Sequence, residues 1–148
     1  MTIHVRQQIR DALVTRLTGL VTTGSQVFKS STFNFDDADL PCLLIANEED
    51  NSQSASIGYP RLQKRDFLVS IRAIVKISTG TDDALDNICK EVEIAISNDP
   101  SLGGIAKDLL LVNTRFELNG DMESQVGVAT MLWQSQYYIK ETAPDLAL

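Results

Sequence analysis

The chain has 148 residues, of which 43% are hydrophobic and 22% are charged, the composition of an ordinary soluble globular domain. This composition excludes a largely disordered chain. The two cysteines, Cys42 and Cys89, are too few for a disulfide scaffold, so a reduced cytosolic protein is the simplest interpretation. The apolar runs are far shorter than the roughly 20 residues of a membrane span, and polar residues interrupt any secretory signal. The formal net charge of −7 argues against tight nucleic-acid binding. We therefore expect one domain, residues 1–148, with no membrane contact.

Residues 1–20 are predicted to form an amphipathic helix. Thr2 is the expected N-cap, and Gly19 with residues 22–24 is expected to end the helix in a turn. The residues at helical spacing on the apolar side are Val5, Ile9, Ala12, Leu13, Leu17 and Leu20. A short strand over residues 26–29 is expected to follow.

Residues 41–76 are predicted to form two strands separated by a long loop. Pro41 opens a short apolar strand over residues 42–46, because proline is accepted at the first residue of a strand. Residues 47–63 are rich in Glu, Asp, Asn, Ser and Gln, and loops of this length are functional or disordered. We expect residues 48–56 to be mobile in the free subunit and to be ordered by a neighbouring molecule.

Between Phe67 and Lys76, apolar residues alternate with polar ones, which predicts a strand with one face in the core. Leu68 and Ile74 on its other face indicate that this face is partly covered as well. The alternating core-facing residues are Phe67, Val69, Ile71, Ala73 and Val75.

A central helix is predicted over residues 81–98, capped by Thr81 or Asp82 and stopped by residues 98–100. Cys89 falls on its apolar side, so we expect a buried structural thiol rather than a nucleophile. The apolar side consists of Leu85, Ile88, Cys89, Val92, Ala95 and Ile96.

Residues 107–139 are predicted to form a hairpin of two long strands, 107–118 and 126–139, around the turn at 119–121. The tail, residues 141–148, is expected to be extended and loosely held. Residues expected to share the core face of the last strand are Met131, Trp133, Tyr137 and Ile139. The element order predicts an α+β fold, a mostly antiparallel four- to five-stranded sheet with two helices packed on one face.

The sequence contains no recognisable catalytic, metal-binding or phosphate-binding motif. His4 is the one histidine, and we interpret it as an exposed residue at the start of the first helix. The acidic run 36–39 lacks the glycine and the final glutamate of a calcium loop. Gly80 precedes a helix, but the aspartates after it would repel a phosphate. The sequence therefore predicts no catalytic residue, no cofactor and no metal, and hence a protein that is not an enzyme.

Charge is distributed in blocks of alternating sign. Residues 1–29 carry +3, residues 36–50 carry −6, residues 61–76 carry +4 and residues 82–99 carry −5. Such blocks are either ordinary solvated faces or the complementary edges of a head-to-tail assembly. For an assembly, Glu48, Glu49 and Asp50 are expected to meet Arg61, Lys64 and Arg65 of the next subunit. Further candidate contact residues are Asp36, Asp37 and Asp39.

Patterns along nearly the whole chain resemble the tail terminator family of long-tailed phages, also called the minor tail protein U family. They lie in the first helix and the turn after it (residues 9–20 and 22–24), in residues 40–45 before the acidic run, in the central helix (residues 84–93) and in residues 127–129. Each is a packing or turn pattern, and Cys42 replaces the small aliphatic residue expected there.

The resemblance implies a structural virion protein that is assembled in the host cytoplasm. In this family a hexameric ring caps the head-proximal end of the tail tube, stops polymerisation of the tube protein and offers a surface for head joining. The implied partners are other copies of the chain, the tail tube protein and a head-completion or connector protein, while genomic DNA passes through the lumen without specific binding. The alternatives are a neck protein on the connector side, a small enzyme or a binding domain for a host protein.

Overall fold

The structure is a computed structural model that describes residues 2–29, 39–77, 79–120 and 125–148. Its elements in chain order are α1 (Val5–Leu17), β1 (Val27–Phe28), β2 (Cys42–Ser54), β3 (Leu62–Ile77), α2 (Thr81–Ser97), β4 (Asp108–Gly120) and β5 (Gln125–Lys140). The strands form one sheet in the order β1-β2-β3-β5-β4, in which β1 is parallel to β2 and the other pairs are antiparallel. The predicted α+β class is confirmed.

The main core lies between the two helices and one face of the sheet. It contains every residue predicted to be central: Leu13, Leu17, Leu85, Ile88, Val92, Phe67, Val69, Ile71, Met131 and Trp133. A smaller cluster on the opposite face is formed by Cys42, Leu44 and Ile74. The prediction that the second face of β3 is partly covered is therefore confirmed for Ile74. This cover explains why the end of β3 near Ile74 is apolar on both faces.

Helix α1 begins at Val5, and its N-cap is His4 rather than the predicted Thr2. The His4 ring accepts a hydrogen bond at Nδ1 from the Arg6 backbone N–H at 3.1 Å, which satisfies one of the N–H groups that a helix start leaves unpaired. His4 is thus half-buried, not exposed as expected. The predicted strand over residues 26–29 is present but only two residues long.

Helix α2 is capped by Gly80, not by Thr81 or Asp82 as predicted. Gly80 has a φ of +72°, which favours glycine, and Thr81 is buried inside the first helical turn. A Cβ on Gly127 of β5 would lie 2.2 Å from Thr81 Cγ2. Glycine at this position therefore lets α2 pack directly against the backbone of the last strand.

The prediction of a loop over residues 47–63 is wrong for most of its length. Strand β2 continues to Ser54 and pairs with β3 through to Gln63, with a bulge at Glu48. In the described part of the chain, the outer half of β2 has a strand on one side only, and its side chains from Asn51 onward are exposed. A polar edge strand is held by backbone hydrogen bonds and needs no apolar pattern, so its composition resembled that of a loop. Residues 48–54 are accordingly ordered within the subunit, and the loop is reduced to residues 55–61.

The C-terminal hairpin is confirmed as β4 and β5. The turn predicted at residues 119–121 is wrong for Asn119 and Gly120, which still pair with β5 as the last residues of β4, and Asp121 lies outside the described residues. The tail is held rather than loose, because it completes the start of α1. Pro144 C=O accepts from the Val5 backbone N–H at 2.9 Å, and the Leu148 N–H donates to Tyr138 C=O at 3.0 Å. An unpaired N–H at the helix start thus finds its acceptor in the tail.

Candidate functional site

The chemically reactive side chains are placed where they do not meet. Cys42 and Cys89 are buried thiols, and burial raises the pKa of each to about 11, which keeps them protonated at neutral pH. Burial, followed by the charge of Arg6, lowers the pKa of His4 below its ordinary value. The described residues contain no group of three His, Cys, Asp or Glu side chains placed to hold a metal ion.

The sequence-predicted residue Asp50 lies at the centre of a buried polar cluster that ties β2 to the rest of the subunit. Its side chain is only 6% exposed. The donors to its Oδ2 are Arg6 Nη1 at 2.8 Å, Arg65 Nη1 at 3.0 Å and the Tyr137 hydroxyl at 2.7 Å. Burial is the main cause of a raised pKa of the Tyr137 hydroxyl, and its hydrogen bond to Asp50 is the second cause. The hydroxyl therefore keeps its proton and donates a hydrogen bond to Asp50. This cluster anchors the outer half of β2 through side chains from α1, β3 and β5.

Asp50 and Arg65, which were predicted to meet across two subunits, pair with each other within one chain. Arg61 is also engaged internally, since its Nη1 lies 3.4 Å from Glu141 Oε2. The physical reason is register: β2 and β3 are antiparallel neighbours, so charge blocks close in sequence face each other across the sheet.

The remaining predicted contact residues are dispersed. Glu49 accepts from the Asn51 side chain at 3.2 Å on the exposed edge, and Lys64 makes no ion pair within the described residues. Asp39 is half-buried and lies just before β2. Asp36 and Asp37 lie outside the described residues. The structure thus brings Asp50 and Arg65 together and leaves Glu49 and Lys64 on the surface.

Glu48 lies in a shallow polar hollow on the sheet face that the helices leave open. The hollow has a volume of about 270 Å³. Its charged lining residues are Glu48, Arg72, Arg115 and Glu117. Two arginines and two glutamates give it no net charge, so it is not built for one charged ligand.

Strand β4 carries several exposed apolar side chains. It forms one edge of the sheet and carries four large apolar side chains that are about half exposed, namely Leu110, Val112, Phe116 and Leu118. A bulge between Leu111 and Asn113 shifts the register, so these side chains lie on both faces of the strand. A long, apolar edge strand offers a partner unpaired backbone groups and apolar area that it could bury.

An open groove runs between α2 and the part of β4 from Leu111 to Phe116; we call it the edge groove. Its volume is about 550 Å³. Leu111, Phe116 and Ile94 form its apolar part, and Ile94 is 55% exposed on the outer side of the helix. The charged residues along the groove are Asp86, Lys90 and Glu93, which leave it net acidic.

A second exposed apolar group lies at the β2–β3 turn, residues 55–61, which we call the tip loop. Ile57 is fully exposed and Tyr59 is 80% exposed. The base of the loop is clamped, because the Leu62 N–H donates to Ser56 Oγ at 2.8 Å and the Arg61 N–H donates to Glu141 Oε1 at 3.0 Å. The loop is therefore ordered by its own subunit while its apolar side chains face solvent.

Sequence reasoning missed the contributions of Arg6 and Tyr137 to the Asp50 cluster and the exposure of β4. The first could not be found by pattern, since Tyr137 is 87 residues from Asp50 in the chain. The second left a visible signal, because residues 109–112 are all apolar and an alternating strand can bury only every second one.

Within the described residues, neither helix is long and apolar enough to cross a membrane. No protein-family model matches the chain, and no curated protein matches it. This chain is similar to a chain in the solved structure titled "Virion of native gene transfer agent (GTA) particle". The two are 14% identical over 90% of each chain, with a TM-score of 0.42. A likeness of this degree carries no argument about function.

Proposed function

We propose that this chain is a structural protein of a phage-like virion, and that its role is that of a tail terminator. In this role, copies of the chain form a hexameric ring at the head-proximal end of the tail tube. The ring stops addition of tube protein and leaves its other face for a head-completion or connector protein.

The observation that carries this proposal is the exposed apolar edge strand β4. Four half-exposed large apolar side chains on a 13-residue edge strand are costly for a protein that works alone, and they favour a building block of an assembly. On the opposite side of the sheet, β1 covers only the start of β2, so the outer half of β2 forms a second edge, which is polar and anchored on Asp50. Two unlike edges are what a head-to-tail ring requires.

The family resemblance of the sequence supports the finer role. Two of its motifs now have a structural reason: Gly127 provides the close contact with α2, and Pro41 directly precedes β2. The net charge of −7 suits a lumen through which DNA slides without being held. We accordingly expect no enzymatic turnover and no cofactor.

The test is a tail-tube polymerisation assay with the tube protein of the same phage. Adding this chain should give tubes of limited length with one additional ring at one end, visible by negative-stain electron microscopy. A neck protein would instead bind the isolated connector and leave tube growth unchanged. Tubes that grow without limit and carry no ring would overturn the proposed role.

A further inference from the structure

We propose that the tip loop of one copy docks into the edge groove of the next copy. The inference deepens the proposed function by naming the contact between ring subunits, and it rests on that function for the closure of the ring.

The two surfaces complement each other in polarity and charge. The tip loop presents Ile57 and Tyr59 almost wholly to solvent, and the edge groove presents Phe116 and Ile94 at about half exposure. Isoleucine and tyrosine are suited to a groove of about 550 Å³, a size in the range of pockets that bind small molecules. Burying such side chains together is the main favourable contribution to association.

The charges around these apolar centres have opposite signs. Residues 55–64 carry Arg61 and Lys64 and no acidic residue, and although Glu141 pairs with Arg61, Lys64 leaves the surroundings of the tip loop net positive. The edge groove is lined by Asp86 and Glu93 against a single Lys90. Opposite charges at the rim of an apolar contact select the orientation of docking and accelerate encounter.

A chain cannot fill its own groove. The tip loop ends where Leu62 pairs with Lys140, whereas Phe116 pairs with Ala129. These positions are eleven residues apart along β5, or about 37 Å at a rise of about 3.4 Å per residue. The loop of one copy must therefore be received by another copy, which makes the contact head-to-tail.

The loop is also prepared for binding. Its base is fixed by the hydrogen bonds to Ser56 and Glu141, so docking does not have to order the backbone. A preordered loop loses less entropy on association than a flexible one.

The experiment uses the full chain and two surface variants, a loop variant (Ile57→Asp with Tyr59→Asp) and a groove variant (Phe116→Asp). Light scattering after size exclusion, over a range of concentrations, measures the mass. The wild-type mass should rise with concentration, and each variant should associate at least about 30-fold more weakly, the loss typical of an interface hot spot. Val21→Asp is the matched control, because Val21 is 96% exposed and lies in neither surface; it should behave like the wild type.

Mixing the two variants in equal amounts gives the decisive result. The intact loop of the groove variant should dock into the intact groove of the loop variant, so a heterodimer should form that grows no further. Ile94→Asp, on the helix side of the groove, repeats the test if Phe116→Asp fails to fold. A mixture that stays monomeric, a variant that associates like the wild type, or a wild type that is monomeric at every concentration would overturn the inference. None of these results decides the proposed function, which depends on the capping of tail tubes.

Discussion

Replacing Asp50 by Asn should destabilise the subunit by about 2–4 kcal/mol, because Asp50 is the single acceptor shared by three donors. Removing one partner of a buried ion pair costs about 3–5 kcal/mol, since the other charge stays buried. Arg65 fits this case, as its side chain is 15% exposed. Arg6 is 35% exposed, so solvent screens it and its share is that of a surface pair, below about 1 kcal/mol. The Asn amide oxygen still accepts from the Tyr137 hydroxyl, which reduces the total.

Urea unfolding followed by the fluorescence of Trp133, the one tryptophan and a buried residue, measures this free energy directly. Glu49→Gln is the matched control, because it removes the same charge from the neighbouring, exposed position and should change stability by less than about 0.5 kcal/mol. Tyr137→Phe should cost about 1–1.5 kcal/mol, and its effect should not add to that of Asp50→Asn, since both act on one cluster. If Asp50→Asn costs no more than Glu49→Gln, the cluster does not anchor β2 and the reasoning is refuted.

Three further predictions concern the core. Leu85→Ala should cost about 2–4 kcal/mol in urea unfolding, whereas Ile94→Ala on the exposed side of the same helix should cost under about 0.5 kcal/mol; equal costs would contradict the helix register. Because burial raises the pKa of the thiols of Cys42 and Cys89 to about 11, they ionise at lower pH in the unfolded chain, so the free energy of unfolding should fall between about pH 9 and pH 11. The Cys42→Ala, Cys89→Ala variant should lose most of that decline, and an unchanged pH profile would show that the thiols do not cause it. Gly127→Ala should cost about 1–3 kcal/mol by pushing α2 away from β5, and a neutral effect would mean that the helix shifts freely.

The sequence predicted the elements whose burial is periodic. Leu85, Ile88 and Val92 follow the helical period, and Val69 and Ile71 alternate along a strand, so each pattern records directly which side faces the core. The one-domain core and the mixture of helix and antiparallel sheet follow from these patterns.

Features that depend on distant or polar contacts could not be read in this way. The outer half of β2 carries no apolar pattern. It needs none, because backbone hydrogen bonds to β3 hold this edge strand in place. The pairing of Asp50 with Arg6 joins residues 44 apart, and the tail is held by backbone hydrogen bonds to Val5 and Tyr138. Such contacts depend on the three-dimensional fold, so the sequence led us to place Asp50 and Arg65 on different subunits.

The most direct test of the proposed role is the length of tail tubes polymerised with increasing amounts of this chain. Tube elongation should stop at amounts far below that of the tube protein, with one ring of this chain at one end of each tube. Tube lengths that do not depend on the added chain, with no ring at either end, would contradict it.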